Sequence, residues 1–262
     1  MSGDGRFEGM VRLVGRRGAE ALQSAHVCVI GLGGVGSWTV EALARSGVGA
    51  LTLVDLDEIC VTNANRQLHT LSSTVGQLKA DVMAERVQQI NPECHVRTIP
   101  DFYTHETADE VLDTNYDYVV DAIDVPPLKA LLVAQCRDRG MPVVVVGGAG
   151  GRVDPSKIVT GDLNMSRNDG LLRRVRKALR KDHGFKRTKN RWRVPAIFSD
   201  EPPVFPTGDG GIADRPTPGR DPIRLDCATG YGAGTFVTGS FGFAAAAVVV
   251  QAIVAKAQPP AS

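Results

Sequence analysis

The sequence predicts an α/β fold: a Rossmann-like, mostly parallel sheet with helices on both faces, a basic C-terminal lobe and a closing hydrophobic helix. Three observations carry this. Short β-branched runs alternate with helical patterns over the first 150 residues. The turn Gly31-Leu-Gly33-Gly34-Val-Gly36 joins the first run to the first helix, and the acid Asp55 ends the second run. Strand alternating with helix implies right-handed βαβ units and a parallel sheet covered on both sides.

The elements follow in order. His26 to Ile30 is a buried strand, Ser37 to Arg45 a helix, and Leu51 to Val54 the next strand. Val75, Leu78, Val82, Met83, Val87 and Ile90 recur at helical spacing, so a helix is expected over 75–90, ended by Asn91-Pro92. Strands at Val96–Ile99, Tyr118–Val120 and Val143–Val146 follow, with a helix after Pro126-Pro127. Ile158 to Leu163 reads as a further strand, and Asp169 to Lys181 as an amphipathic helix burying Leu171, Leu172, Val175, Ala178 and Leu179. The Pro, Gly and Asp residues of 201–222 show no periodicity and predict a mobile loop. Two parts are expected, a Rossmann-like domain over 1–151 and, over 152–262, the rest of the same fold with its basic lobe at about 167–193.

The chain has 262 residues, 43% of them hydrophobic, with a net charge of +1, as expected of a globular protein. Its five cysteines are widely spaced with no C-x-x-C pair, which argues against a disulfide framework and a four-thiolate zinc site. A cytoplasmic location is the expectation. The apolar stretch Gly232 to Ala255 is long enough to span a bilayer, but its Gly, Ala, Ser and Thr content favours a buried helix over membrane association.

The glycine turn supplies close backbone approach and a helix N-terminus to a phosphate, and Asp55 stands where a carboxylate holds ribose hydroxyls. These features suit NAD as well as ATP. Thr62-Asn63-Ala64-Asn65-Arg66, Lys79 and Asp124 separate the two. Attack at the α-phosphorus of a triphosphate calls for cations against developing charge and a carboxylate for magnesium. Taken singly, Lys79 reads as a solvated helix residue, Arg66 as a surface ion pair and Asp124 as a helix cap.

In order and spacing, Ile30–Gly36, Leu53-Val-Asp55-Leu-Asp57, Thr62–Arg66, Gly76-Gln-Leu-Lys79 and Val120-Asp-Ala-Ile-Asp124 resemble the ubiquitin-activating-type adenylating family. The resemblance implies that Gly34, Asp55, Asn63, Asn65, Arg66, Lys79 and Asp124 surround Mg-ATP, with Asp124 on Mg2+. It also implies a homodimer, across which Arg12 would complete the catalytic set. The carrier-protein branch of that family has a zinc pair and often a catalytic cysteine, and the pair is missing here.

Residues 167–193 hold twelve Lys or Arg against two acids, a segment charge of +10 in a chain whose total is +1. Such segregation is the footprint of a phosphate-backbone ligand. Arg173, Arg174, Arg176, Lys177, Arg180, Lys181, Lys186 and Arg187 are the candidate RNA contacts, with Trp192 as a stacking platform. Gly148–Gly151 with Asp154-Pro155, Phe198-Ser199, Leu225–Tyr231 and Gly239–Phe243 resemble the bacterial tRNA threonylcarbamoyladenosine dehydratases nearly end to end. That likeness implies a tRNA substrate carrying threonylcarbamoyladenosine, no role for DNA, and ring closure after adenylation of a carboxylate. A cysteine desulfurase and its sulfur-acceptor protein are associated with the family; no residue here points to them independently. Ala196 stands where several such relatives carry cysteine, and Cys227 reads as structural. The alternatives are an adenylating enzyme for a small sulfur-carrier or ubiquitin-like protein, an NAD-dependent oxidoreductase, and a non-catalytic RNA-binding scaffold.

Overall fold

A computed structural model describes residues 5–215 and 231–258. Seven strands form one sheet: β1 His26–Ile30, β2 Ala50–Val54, β3 His95–Ile99, β4 Tyr118–Asp121, β5 Val143–Val146, β6 Ile158–Asp162 and β7 Pro195–Ser199. Their order is β3-β2-β1-β4-β5-β7-β6, parallel throughout except for the antiparallel edge strand β6. The chain winds outward from β1 to β3, then returns to lay β4 on the other side of β1. That reversal opens a crevice beyond the carboxyl ends of β1 and β4, where ligands of open α/β sheets bind.

Helices cover both faces. Alternate strand residues point to opposite sides. Val27, Val29, Leu51, Leu53, Val120 and Val144 pack beneath helices α1 Glu8–Ser24, α2 Gly36–Arg45 and α3 Lys79–Ile90. Cys28, Ile30, Val119, Val143 and Val145 face the other layer. The short α4 Ala108–Val111, α5 Pro126–Asp138 and α6 Gly170–Asp182 form it. A final helix, α7 Thr235–Ala257, completes the first layer.

α7 is the one described helix long and apolar enough to cross a membrane, and more than half of its most apolar window is buried. It crosses α2 closely because Gly242 has no side chain. A Cβ there would stand 2.7 Å from Trp38 Cβ and from the Val35 carbonyl. Thr39 Oγ1 donates to the Gly242 carbonyl at 3.2 Å across this crossing. Phe236 and Phe243 remain on its outer side, 57% and 50% exposed.

Several details differ from the sequence expectations. The helix expected over 75–90 begins at Lys79, since Gly76 is left-handed at φ 85° and Val75 is exposed. Leu163 leaves the strand for a 3-10 turn over Leu163–Met165. Helix α1 and strand β7 had no forecast. α1 is interrupted at Gly15, whose φ of 76° and ψ of 164° are not helical. Within the loop expected over 201–222, Phe205–Pro206 and Ile212–Ala213 pair as a hairpin (β8 and β9). Residues 216–222, and Cys227 with the stretch 225–230, lie outside the described residues.

Candidate active site

The glycine turn has the close-packed backbone geometry that a phosphate loop requires. Gly31 has φ 88°, and a Cβ on it would stand 2.8 Å from the Ala122 carbonyl, so only glycine lets this loop rest on the turn after β4. A Cβ on Gly36 would overlap the Gly31 carbonyl. Gly33 and Gly34 lie between, with Gly34 facing Arg66 Cγ and Thr238. The loop feeds the N-terminus of α2, a site suited to anions.

Asp55 fixes that loop. Its Oδ2 accepts Leu32 N at 2.6 Å and its Oδ1 accepts Asp57 N at 2.9 Å. Burial raises the pKa of its carboxyl, with Lys79 and the two backbone donors opposing. Lys79 is only 5% exposed, not the solvated helix residue it resembles in sequence. Its Nζ lies 2.6 Å from Asp57 Oδ2 and 3.9 Å from Asp55 Oδ1. Asp57 is half-exposed.

The segment after β2 is pinned from two helices. Asn63 Oδ1 accepts Cys60 N at 3.1 Å, and Asn65 Nδ2 donates to the Ala233 carbonyl at 2.6 Å. Arg66 Nη1 donates to the Thr62 carbonyl and Asn65 Oδ1, each at 2.9 Å. Trp38 of α2 and Thr238 of α7 both donate to the Arg66 carbonyl, at 3.1 and 3.2 Å. The Arg66 backbone is therefore held, and its half-buried side chain meets no carboxylate among the described residues. Cys60 is exposed, and the Thr62 hydroxyl 3.1 Å away holds its thiol pKa below the usual value.

Asp124 is exposed in the turn between β4 and α5, with no polar partner among the described residues. It does not cap α5, whose N-cap is Val125 without a side-chain hydrogen bond. Three buried groups escaped the sequence reading. His69 Nε2 pairs with the Leu32 carbonyl at 2.8 Å, and burial lowers its pKa to about 4. Lys129 and Asp121 form an ion pair at 2.9 Å with neither side chain exposed. A lysine inside an apolar helical pattern gives no warning of such a partner.

Arg12 is not brought to this site within one chain. It lines a groove of about 430 Å3 with Arg16, Gln23, Gly49 and Asn91, near the amino end of β2, whereas the glycine loop leaves the carboxyl end of β1.

The basic residues divide into two groups. Arg173, Arg174, Lys177 and Lys181 are exposed along the outer face of α6, as are Lys186 and Arg187 in the loop beyond. Arg176 and Arg180 turn inward. Arg176 donates to Ser166 Oγ, and Arg180 to Asn164 Oδ1 at 3.1 Å. Trp192 is half-buried, with Phe185 edge-on at 4.8 Å and the Arg180 guanidinium 5.3 Å from its ring centre. Its indole N–H donates to the Lys186 carbonyl. These three are therefore engaged in the lobe's own structure. Asp169 joins the lobe to the sheet edge: Oδ1 caps α6 by accepting Leu172 N at 2.8 Å, and Oδ2 accepts Gly148 N at 2.9 Å. Ala196 is wholly buried in β7.

Comparison with known proteins agrees with this geometry. The ThiF family profile matches residues 8–260. The tRNA threonylcarbamoyladenosine dehydratase of Escherichia coli is 46% identical over 96% of this chain and 94% of its own length. That of Haemophilus influenzae is 47% identical over 96% and 94%. A sulfur carrier protein adenylyltransferase of Thermus thermophilus is 38% identical over only 50% of this chain and 48% of its own length. Among solved structures, the ATP complex of the Escherichia coli dehydratase superposes with a TM-score of 0.85 at 43% identity, covering 96% of this chain and 95% of that one. Matched over nearly its whole length, the chain belongs to the ThiF family, among its tRNA threonylcarbamoyladenosine dehydratases.

Proposed function

We propose that this protein catalyses the ATP-dependent cyclising dehydration of N6-threonylcarbamoyladenosine in tRNA, beside the anticodon. One observation carries the reading: the glycine loop, the buried Lys79 and Asp124, which has no polar partner among the described residues, all gather where β1, β2 and β4 end. In the chemistry, a threonyl carboxylate oxygen attacks the α-phosphorus of ATP and pyrophosphate leaves. The neighbouring ureido group then attacks the acyl carbon, and AMP leaves with the carboxylate oxygen. The net organic change is loss of one water. No protein nucleophile is needed, because the reacting ends belong to one nucleoside and are already held together.

The residues divide the work. Backbone groups of the glycine loop and the N-terminus of α2 hold phosphate, while Asp55 fixes the loop and faces the ribose. Lys79 and Arg66 stabilise charge that grows on the phosphate oxygens as the α-phosphorus is attacked. Asp124 fits Mg2+: an exposed carboxylate with no partner among the described residues, on a turn packed against the phosphate loop. Magnesium commonly takes one or two carboxylates and fills its shell with substrate phosphates and water. When bound it would neutralise phosphate charge.

The exposed face of α6 supports a tRNA-binding role, with Arg173, Arg174, Lys177 and Lys181 meeting the RNA backbone. We assign the enzyme as a homodimer. The exposed Phe236 and Phe243 on α7 support this, and a second copy is the route by which Arg12 would reach a nucleotide. α7 serves as a core helix, which suits a cytoplasmic enzyme. Release of AMP with modified tRNA, and its absence with unmodified tRNA, tests the reading. Equal release with both would overturn it.

A further inference from the structure

Lys129 lies on the first turn of α5 and Asp121 is the last residue of β4. Both side chains are 0% exposed. Lys129 Nζ stands 2.9 Å from Asp121 Oδ1 and donates to the Asp121 carbonyl at 3.1 Å. The same Oδ1 accepts Ile123 N at 3.2 Å, so one lysine grips the turn through its backbone and its carboxylate together. Asp121 Oδ2 is buried with no partner among the described residues.

A wholly buried ion pair is weak evidence for stability, since well-packed apolar residues often serve as well. Its geometry suggests another use. Asp124 sits between the two halves of the clamp, three residues after Asp121 and five before Lys129. The turn is also tied to the phosphate loop: Ala122 N donates to the Ile30 carbonyl at 2.9 Å, and the Ala122 carbonyl abuts Gly31. Whatever fixes residues 121–125 therefore fixes Asp124 relative to bound phosphates.

We infer that Lys129 is a positioning residue for the magnesium-binding carboxylate of Asp124, acting through the buried Asp121. This rests on the reading of Asp124 given above. Groups that orient a metal ligand without touching the metal commonly alter metal affinity by about 10–100-fold.

The test is ATP binding to the purified enzyme by calorimetry, without metal and across a magnesium titration. Lys129→Met removes the clamp. Lys129→Met with Asp121→Leu removes it without leaving a buried unpaired acid, and serves if the single variant fails to fold. In a folded variant the magnesium midpoint should rise about tenfold, while ATP affinity without metal stays within about twofold. An unchanged midpoint, or equal loss of metal-free and metal-dependent binding, would overturn the inference. Asp124→Ala run alongside separates the two claims. If Asp124→Ala leaves the magnesium dependence intact, the assignment of Asp124 itself fails; if it removes that dependence while Lys129→Met changes nothing, only the role of Lys129 fails.

Discussion

Lys79 Nζ lies 2.6 Å from Asp57 Oδ2 and 3.9 Å from Asp55 Oδ1, so a single buried cation serves both acids that follow β2. Asp55 in turn holds Leu32 N of the phosphate loop. Lys79→Ala should lower AMP release by about 100-fold or more, since the charge proposed to face the phosphates is lost. It should also cost about 1–2 kcal/mol of stability, because Asp57 is half-exposed and solvent screens much of its loss. Single-turnover AMP release and urea unfolding on one preparation check both parts.

Asp124→Ala should separate activity from stability. The residue is exposed and bonded to no described group, so unfolding free energy should change by less than about 0.5 kcal/mol. Pyrophosphate release should nonetheless fall by about 100-fold. Near-normal turnover would remove Asp124 from the metal site.

Much of this site was legible in the sequence because it depends on local chemistry. The glycine turn, Asp55 and the strand before each are read from spacing alone. What stayed hidden depends on direction. Charge along α6 has no inside or outside in one dimension, so Arg176 and Arg180 counted as RNA contacts although they brace residues 163–166. Val75 fits a helical period, but the left-handed Gly76 keeps the helix from starting there. β7 was missed because Pro195 to Ser199 follows a long basic loop and shows no alternation. The Lys129–Asp121 pair joins a strand end to a helix, which no periodicity reports.

The division of the basic lobe makes a prediction. Neutralising the exposed Arg173, Arg174, Lys177 and Lys181 together should weaken tRNA binding. It should also flatten the slope of log K against log salt by about 3, one counterion term per lost contact. Arg176→Ala and Arg180→Ala should instead lower the melting temperature. Filter binding over a salt series, set beside thermal melts, distinguishes the two groups.

His69 carries a pH signature. Burial lowers its pKa from 6.5 to about 4, so between those values the unfolded chain takes up a proton that the folded chain refuses. Stability from this group is present above pH 6.5 and is lost as pH falls toward 4, by about 3 kcal/mol at most. His69→Gln should flatten the stability profile by about one proton over that window. Denaturant melts at a series of pH values check it, and an unchanged slope would contradict it.

The most direct test supplies Mg-ATP and tRNA with or without threonylcarbamoyladenosine, then measures AMP, pyrophosphate and the mass of the digested nucleoside. AMP release is expected only with the modified tRNA, together with a product lighter by one water. Release that ignores the modification, or a nucleoside of unchanged mass, would contradict it.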